Sequence, residues 1–204
     1  MKLYVRLLAV LFLLVMARPV AAQTLSGEGL VKALRQGGYV LVIRHASSPH
    51  DAPGRQAANS DNVNLERQLD ENGRASATAM GKALRDLKIP VGAVFTSPSY
   101  RALETARLAQ LPNPKVQTEL GDGGQSMQGV SETQSTWLKK EVVAEVARGA
   151  NTVIVTHLPN IAAAFPQWAT GLSDGETLVF GSDGKTGVTV VARIKIEQWA
   201  KMLF

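Results

Sequence analysis

The sequence has 204 residues, 45% hydrophobic and 19% charged, which suits one globular domain with a sizeable core and excludes a disordered chain. It contains no cysteine, which excludes a disulfide scaffold, a thiolate zinc site, a cysteine nucleophile and an acylated lipoprotein anchor. No run of Lys and Arg interleaved with aromatics occurs, so nothing points to a nucleic-acid partner.

The N-terminus opens with Lys2 and Arg6, continues through an apolar run from Leu7 to Met16, and ends in small residues at Val20 and Ala22. That order is expected of a secretory signal peptide over residues 1–22, cleaved before Gln23. The alternative, a retained anchor, fits poorly, because the apolar run spans only about half of a bilayer's hydrocarbon core. The signal holds three of the 22 basic residues, Lys2, Arg6 and Arg18, leaving 19 basic against 17 acidic, a balance of +2. A second long apolar stretch is missing, so no stable membrane insertion is expected after cleavage, and the location expected is periplasmic or secreted.

Residues 23–204 read as a single domain. Leu25 to Gln36 is predicted as a helix with Leu30, Val31 and Leu34 on one face, ended by Gly37 and Gly38. Tyr39 to Ile43 is a continuous apolar run, as for a strand buried on both sides. A long polar stretch from Ala46 to Gln68 follows, and loops of this length are usually functional or mobile. Asp70 caps a predicted helix reaching Leu87; Pro90 stops it, and Val91 to Thr96 is a second strand. Ser99 to Gln110 reads as a helix, Lys115 to Thr118 as a short strand, and the glycine-rich segment Gly121 to Gly129 leads to a helix over Glu132 to Arg148. Thr152 to Thr156 is another buried strand. Thr177 to Phe180 and Gly187 to Ile194 form a predicted hairpin. Strands alternating with helices predict an α/β fold, a three-layer α/β/α sandwich with a mostly parallel central sheet and an antiparallel edge.

Three predicted strands end in chemistry: Arg44 and His45 after the first, Arg101 one turn into the helix after the second, and His157 after Thr156. In open α/β sheets ligands bind outside the carboxyl ends of the strands, so these four side chains are aimed at one crevice. A lone histidine after a strand is commonplace, and an arginine in a first helical turn faces the positive end of the helix dipole. A bound phosphate explains the misplacement, since it would neutralise Arg101 and accept from the helix amides.

Val42-Ile43-Arg44-His45-Ala46 resembles the strand-terminal Arg-His-Gly motif of the histidine phosphatase superfamily, its phosphoglycerate mutase-like branch. Leu69-Asp70-Glu71-Asn72-Gly73-Arg74 is similar to that family's helix start. Thr96 to Ala106 resembles its Ser-Ser-Pro-x-x-Arg-Ala-x-x-Thr-Ala segment, and Val155 to Asn160 its second-histidine motif. The resemblance runs from about Tyr39 to Ile194. Two positions depart from it: Ala46 replaces a glycine, and Leu158 replaces a glycine or asparagine.

The resemblance implies a metal-independent phosphatase, with no cofactor, that hydrolyses phosphate monoesters through a phosphohistidine on His45. Arg44, Arg101 and His157 would hold the phosphoryl oxygens. The family's general acid is a carboxylate on a loop after a strand, a position that Asp122 takes here, with Glu119 in reserve. Glu176 resembles a Gly-Glu element near the family's pocket. Ser47 could donate to phosphate, as could Ser48, and Arg67 is the first candidate for a specificity contact in the polar stretch, which also holds His50, Asp51, Arg55, Asn62 and Asn64. The expected partner is a small phosphorylated substrate or a phosphorylated envelope component. Phosphoglycerate mutase-type phosphoryl transfer and a non-catalytic phosphate-binding module are the rival readings. The predicted signal peptide argues against the former, and the intact Arg44, His45, Arg101 and His157 against the latter.

Overall fold

Six strands form one sheet, and the central ones bury apolar side chains on both faces. The computed structural model describes residues 24–51, 65–122, 130–184 and 187–202. The predicted signal peptide lies outside them, as do Arg55, Asn62 and Asn64 and most of the glycine-rich segment.

In chain order the elements are α1 (Gly27–Gln36), β1 (Val40–Arg44), α2 (Glu71–Asp86), β2 (Val91–Thr96), α3 (Tyr100–Leu108), β3 (Lys115–Val116), α4 (Glu132–Val143), β4 (Asn151–Thr156), α5 (Leu158–Ala164), α6 (Pro166–Ala169), β5 (Thr177–Ser182) and β6 (Val188–Ile194). A 3₁₀ turn at Thr118–Leu120 follows β3, and another at Ile196–Met202 follows β6. The sheet order is β3-β2-β4-β1-β5-β6. The first four strands are parallel; β5 runs antiparallel to β1, and β6 antiparallel to β5. This is the expected mostly parallel sheet with an antiparallel edge.

Alternation along the central strands divides the core. Leu41 and Ile43 of β1 and Val153 and Val155 of β4 face one layer with α1, α2, α3 and Trp199. Val40, Val42 and Ile154 face the other with Leu120, Leu138, Ile161 and Phe180. The period-two rule of strands thus puts a helical layer on each face.

Several elements differ from expectation. The helix at Glu132 stops at Val143 rather than Arg148: Ala144 is already extended, and the chain must reverse through Gly149 to enter β4. The strand after Pro114 keeps only Lys115 and Val116 before turning into the 3₁₀ segment. Helices α5 and α6 and the last 3₁₀ turn were not expected; Pro159 and Pro166 sit in first helical turns, where a missing N–H costs nothing.

At the amino end of β4, wholly buried Asn151 fastens three segments. Its Nδ2 donates to Leu34 O (2.8 Å) and Pro90 O (2.9 Å), and its Oδ1 accepts from Tyr39 N (3.3 Å).

Candidate active site

Parallel pairing places Arg44 beside Thr156, so the next residues, His45 and His157, leave adjacent strands side by side. Their ring centroids are 5.2 Å apart at 61°, close enough for both imidazoles to touch one anion. On the other side of β4, Thr96 is in register with Val155, and a turn through Ser97 brings Arg101 into the start of α3. Arg101 is only 1% exposed.

The arginine fixes both histidine tautomers, because a guanidinium can only donate. Arg101 Nε donates to His45 Nε2 (3.3 Å), and Arg101 Nη2 lies 3.2 Å from His157 Nδ1. His45 Nδ1 therefore carries its proton toward Ala46 O (2.8 Å), and His157 Nε2 carries its proton toward Ser97 Oγ (2.8 Å). Each histidine keeps a lone pair on the nitrogen facing Arg101. Burial above all, then the neighbouring His157, pushes the His45 imidazole well below its usual range, against the pull of the Ala46 carbonyl. His157 is pushed down to about 3, first by burial, with Arg101 adding to the effect and Asp122 opposing it. Both rings are therefore neutral at pH 7.

Thr105 explains why the α3 segment reads as it does. Its hydroxyl accepts from Ala46 N (3.0 Å) and donates to Arg101 O (2.8 Å), joining the loop after β1 to the helix that carries the arginine. Ala102 and Ala106, both fully buried, let the helix lie close. Ala46 does not adopt a positive φ, so alanine replaces the family glycine without strain.

Asp122 reaches the same cluster. It forms a buried ion pair with Arg101 Nη2, and its Oδ2 lies 3.5 Å from His157 Nδ1. The loop carrying it hangs from polar side chains: Thr156 Oγ1 donates to Leu120 O, Asn160 Nδ2 to Glu119 O and Gly121 O, and Gln134 Nε2 to Gly121 O.

Arg44 is bound at its outer end. Nη1 donates to Leu172 O (2.7 Å), and Nη2 lies 2.6 Å from Asp174 Oδ1 in an ion pair whose angles fall outside hydrogen-bond alignment; Nε is buried with no acceptor among the described residues.

Other expected residues are placed differently. Ser47 Oγ donates to Asp70 Oδ2 (2.7 Å), so the hydroxyl secures the cap of α2 rather than facing an anion. Gly73 makes that junction possible, since a Cβ there would lie 2.1 Å from Ser47 O. Ser48 Oγ is likewise committed, to Gln68 O (2.8 Å). Glu119 is turned away: its carboxylate accepts from Thr118 Oγ1. Glu176 is buried, but its carboxylate accepts from Arg193 Nε and Ser173 N (both 2.8 Å), so it braces the chain behind the site rather than lining it. His50 and Asp51 are exposed. Arg67 stands at the rim, held by Pro49 O (2.6 Å) and Ser48 O (3.0 Å), within the fields of Arg101, Asp122, Asp174 and Arg44. The first amide of α3 is already satisfied, Tyr100 N donating to Glu66 Oε2 (2.8 Å), which corrects the expectation that it would hold phosphate.

A cavity of about 340 Å³ opens beside Asp122, lined by Glu66, Pro98, Ser99, Thr118, Gly121 and Gln134. A larger one, about 430 Å³, lies between α1 and the end of α2, lined by Glu28, Lys32, Arg35 and Asp86 and none of the residues above. Glu66 and Asp174 escaped the sequence reading because no motif marks them.

The fold is shared with solved phosphatases. The protein histidine phosphatase SixA complexed with tungstate superposes with a TM-score of 0.55 at 20% identity, covering 78% of this chain and 98% of its own. A phosphoserine phosphatase from Entamoeba histolytica gives 0.52 at 13%, covering 78% and 98%, and a mycobacterial glucosyl-3-phosphoglycerate phosphatase gives 0.51 at 16%, covering 71% and 93%. No curated protein matches the chain in sequence. Residues 40–123, which include Arg44, His45, Arg101 and Asp122, match the family model of the histidine phosphatase superfamily (branch 1). Over that segment the chain is similar to the superfamily, and across most of its length it shares the fold of these phosphatases.

Proposed function

We propose that the protein is a metal-independent phosphatase that hydrolyses phosphate monoesters through a phosphohistidine on His45. The observation that carries this reading is the tautomer of His45: with Nδ1–H committed to Ala46 O, the lone pair on Nε2 faces Arg101 and the second histidine. A neutral imidazole so oriented is a nucleophile rather than a cation for holding anions.

The groups proposed to bind the phosphoryl bond one another: Arg101 contacts both histidines and Asp122. A phosphoryl group entering the cluster takes these contacts over. Arg101, Arg44 and His157 then donate to its oxygens, and the charge that accumulates in the transition state is stabilised by groups already in place. His157 takes up a proton on Nδ1 to do so, since a dianion stabilises the imidazolium. Asp122, displaced from Arg101 and placed beside a negative phosphoryl group, also gains a proton by like-charge repulsion.

His45 Nε2 attacks phosphorus, the N–P bond forms, the ester P–O bond breaks, and Asp122 gives its proton to the departing oxygen, releasing an alcohol. Asp122, now a carboxylate, takes a proton from water; that oxygen attacks phosphorus, the N–P bond breaks, and inorganic phosphate leaves with His45 neutral again. The cavity beside Asp122 receives the leaving group. Because Asp122 lies in the cluster, esters with poor leaving groups fall within reach, and cleavage confined to activated phosphoryl donors is not favoured.

The oxyanions held by relatives support the anion site: the SixA structure contains tungstate, and the mycobacterial one VO3. We take the working chain as residues 23–204, periplasmic or secreted, acting on small phosphate esters or phosphorylated envelope components. Hydrolysis of p-nitrophenyl phosphate in EDTA, inhibited by vanadate and lost in His45→Ala, is the expected result. Phosphate binding without turnover would replace this reading with that of a binding module.

A further inference from the structure

Resting on the phosphatase reading, we infer that Asp174 is a positioning residue that presents Arg44 to the phosphoryl group. A guanidinium has five N–H donors, and what it can offer a ligand depends on which of them the protein has engaged. Leu172 O accepts from Nη1 at 2.7 Å, while Asp174 Oδ1 stands 2.6 Å from Nη2 as a counter-charge without an aligned hydrogen bond. Nε is buried with no acceptor among the described residues. An orphaned buried donor is costly, and it persists where a ligand completes it. Nε together with Nη2 forms a two-pronged fork, which matches two oxygens of a phosphoryl group.

The segment around Asp174 is shaped to hold the whole Arg44–His45 pair. Gly175 N donates to His45 O (2.9 Å), and Arg44 N donates to Glu176 O (3.1 Å). Glu176 fixes the turn through Ser173 N and Arg193. Gly175 has φ +70°, and a Cβ there would stand 2.5 Å from Ile196 Cδ1, so the turn can pass this close to the last 3₁₀ segment only with glycine. The side chain of Asp174 is 32% exposed, against 3% for Asp122. The two carboxylates therefore act differently: Asp122 lies inside the anion cluster, whereas Asp174 grips Arg44 from the rim and leaves its inner edge to the substrate.

The test compares Asp174→Ala, Asp174→Asn and wild type by p-nitrophenyl phosphate kinetics, vanadate inhibition and calorimetric binding of inorganic phosphate. Asp174→Ala is expected to raise KM, the vanadate inhibition constant and the phosphate dissociation constant about tenfold, with kcat changed by less than about threefold and the melting temperature unchanged. Asp174→Asn, which keeps an acceptor without the charge, is expected to recover part of that loss. Tighter anion binding in Asp174→Ala would overturn the inference by making Asp174 a competitor for Arg44. Unchanged constants, or a fall in kcat at constant KM, would overturn it as well. If wild type binds phosphate but turns nothing over, the phosphatase reading fails, while the calorimetric comparison still judges Asp174.

Discussion

The two sides of the site are built by different means. On the phosphoryl side, Arg44, His45 and His157 sit at the ends of β1 and β4, interior strands paired on both edges. On the leaving-group side, Asp122 follows the two-residue strand β3 at the sheet's edge and is held by side-chain bonds from Thr156, Asn160 and Gln134 to the loop. Backbone ladders set the first group to within the tolerance of a sheet; three polar side chains set the second. The leaving-group side can therefore be retuned by substitution without moving the nucleophile.

The sharpest way to test that division starts with His45→Ala, which should lower kcat by about four decades or more for every ester and abolish the acid-labile phosphoenzyme seen by rapid quench. Asp122→Asn should be selective: a loss of about two to four decades for alkyl phosphates, but little for p-nitrophenyl phosphate, whose leaving group needs no proton. Plotting kcat against leaving-group acidity reads this directly, and equal losses across the series would erase the distinction between the two sides. Asn160→Ala, which frees the loop carbonyl of Glu119 and leaves that of Gly121 to Gln134, should cost about tenfold with alkyl phosphates while leaving vanadate affinity unchanged.

The smallest effect concerns stability and the phosphoryl side alone. His157 is held neutral when folded, down to about pH 3, yet titrates near 6.5 when unfolded. Between these values the unfolded chain binds more protons, so stability should be fully present above about pH 6.5 and should decline as pH falls toward about 3. His157→Gln should flatten that decline in urea titrations. Excess phosphate should shift it as well, because anion binding favours the protonated ring.

Much of the phosphoryl side was legible in the sequence because its determinants are local. Continuous β-branched runs mark β1 and β4, and a parallel sheet sends their next residues to one edge, so His45 and His157 needed no tertiary information to be paired. Asp122 was legible as a position after a strand, though its contact with Arg101 was not. Ser47, Glu119 and Glu176 were placed near the chemistry by proximity in sequence, but side-chain direction is decided by competing partners: Asp70, Thr118 and Arg193 respectively. Asp174 was invisible for the converse reason. Its meeting with Arg44 spans 130 positions and depends on the turn after α6, a helix the sequence reading did not include.

Asn151 and His157 cap opposite ends of β4, roughly 20 Å apart at the usual rise of a strand. One amide ties together the last turn of α1 and the entrances to β1 and β2; the imidazole at the far end bonds Ser97 and Arg101 within the site itself. Structural insurance and reactivity are thus housed at separate poles of a single strand. Replacing Asn151 by leucine would orphan a buried donor at Tyr39 and strip Leu34 of its side-chain contact, loosening the molecule at a distance from its chemistry. Lesions at the histidine pole, by contrast, can silence the protein while leaving it folded, which makes that pole the natural place to prepare inert forms that still hold a substrate.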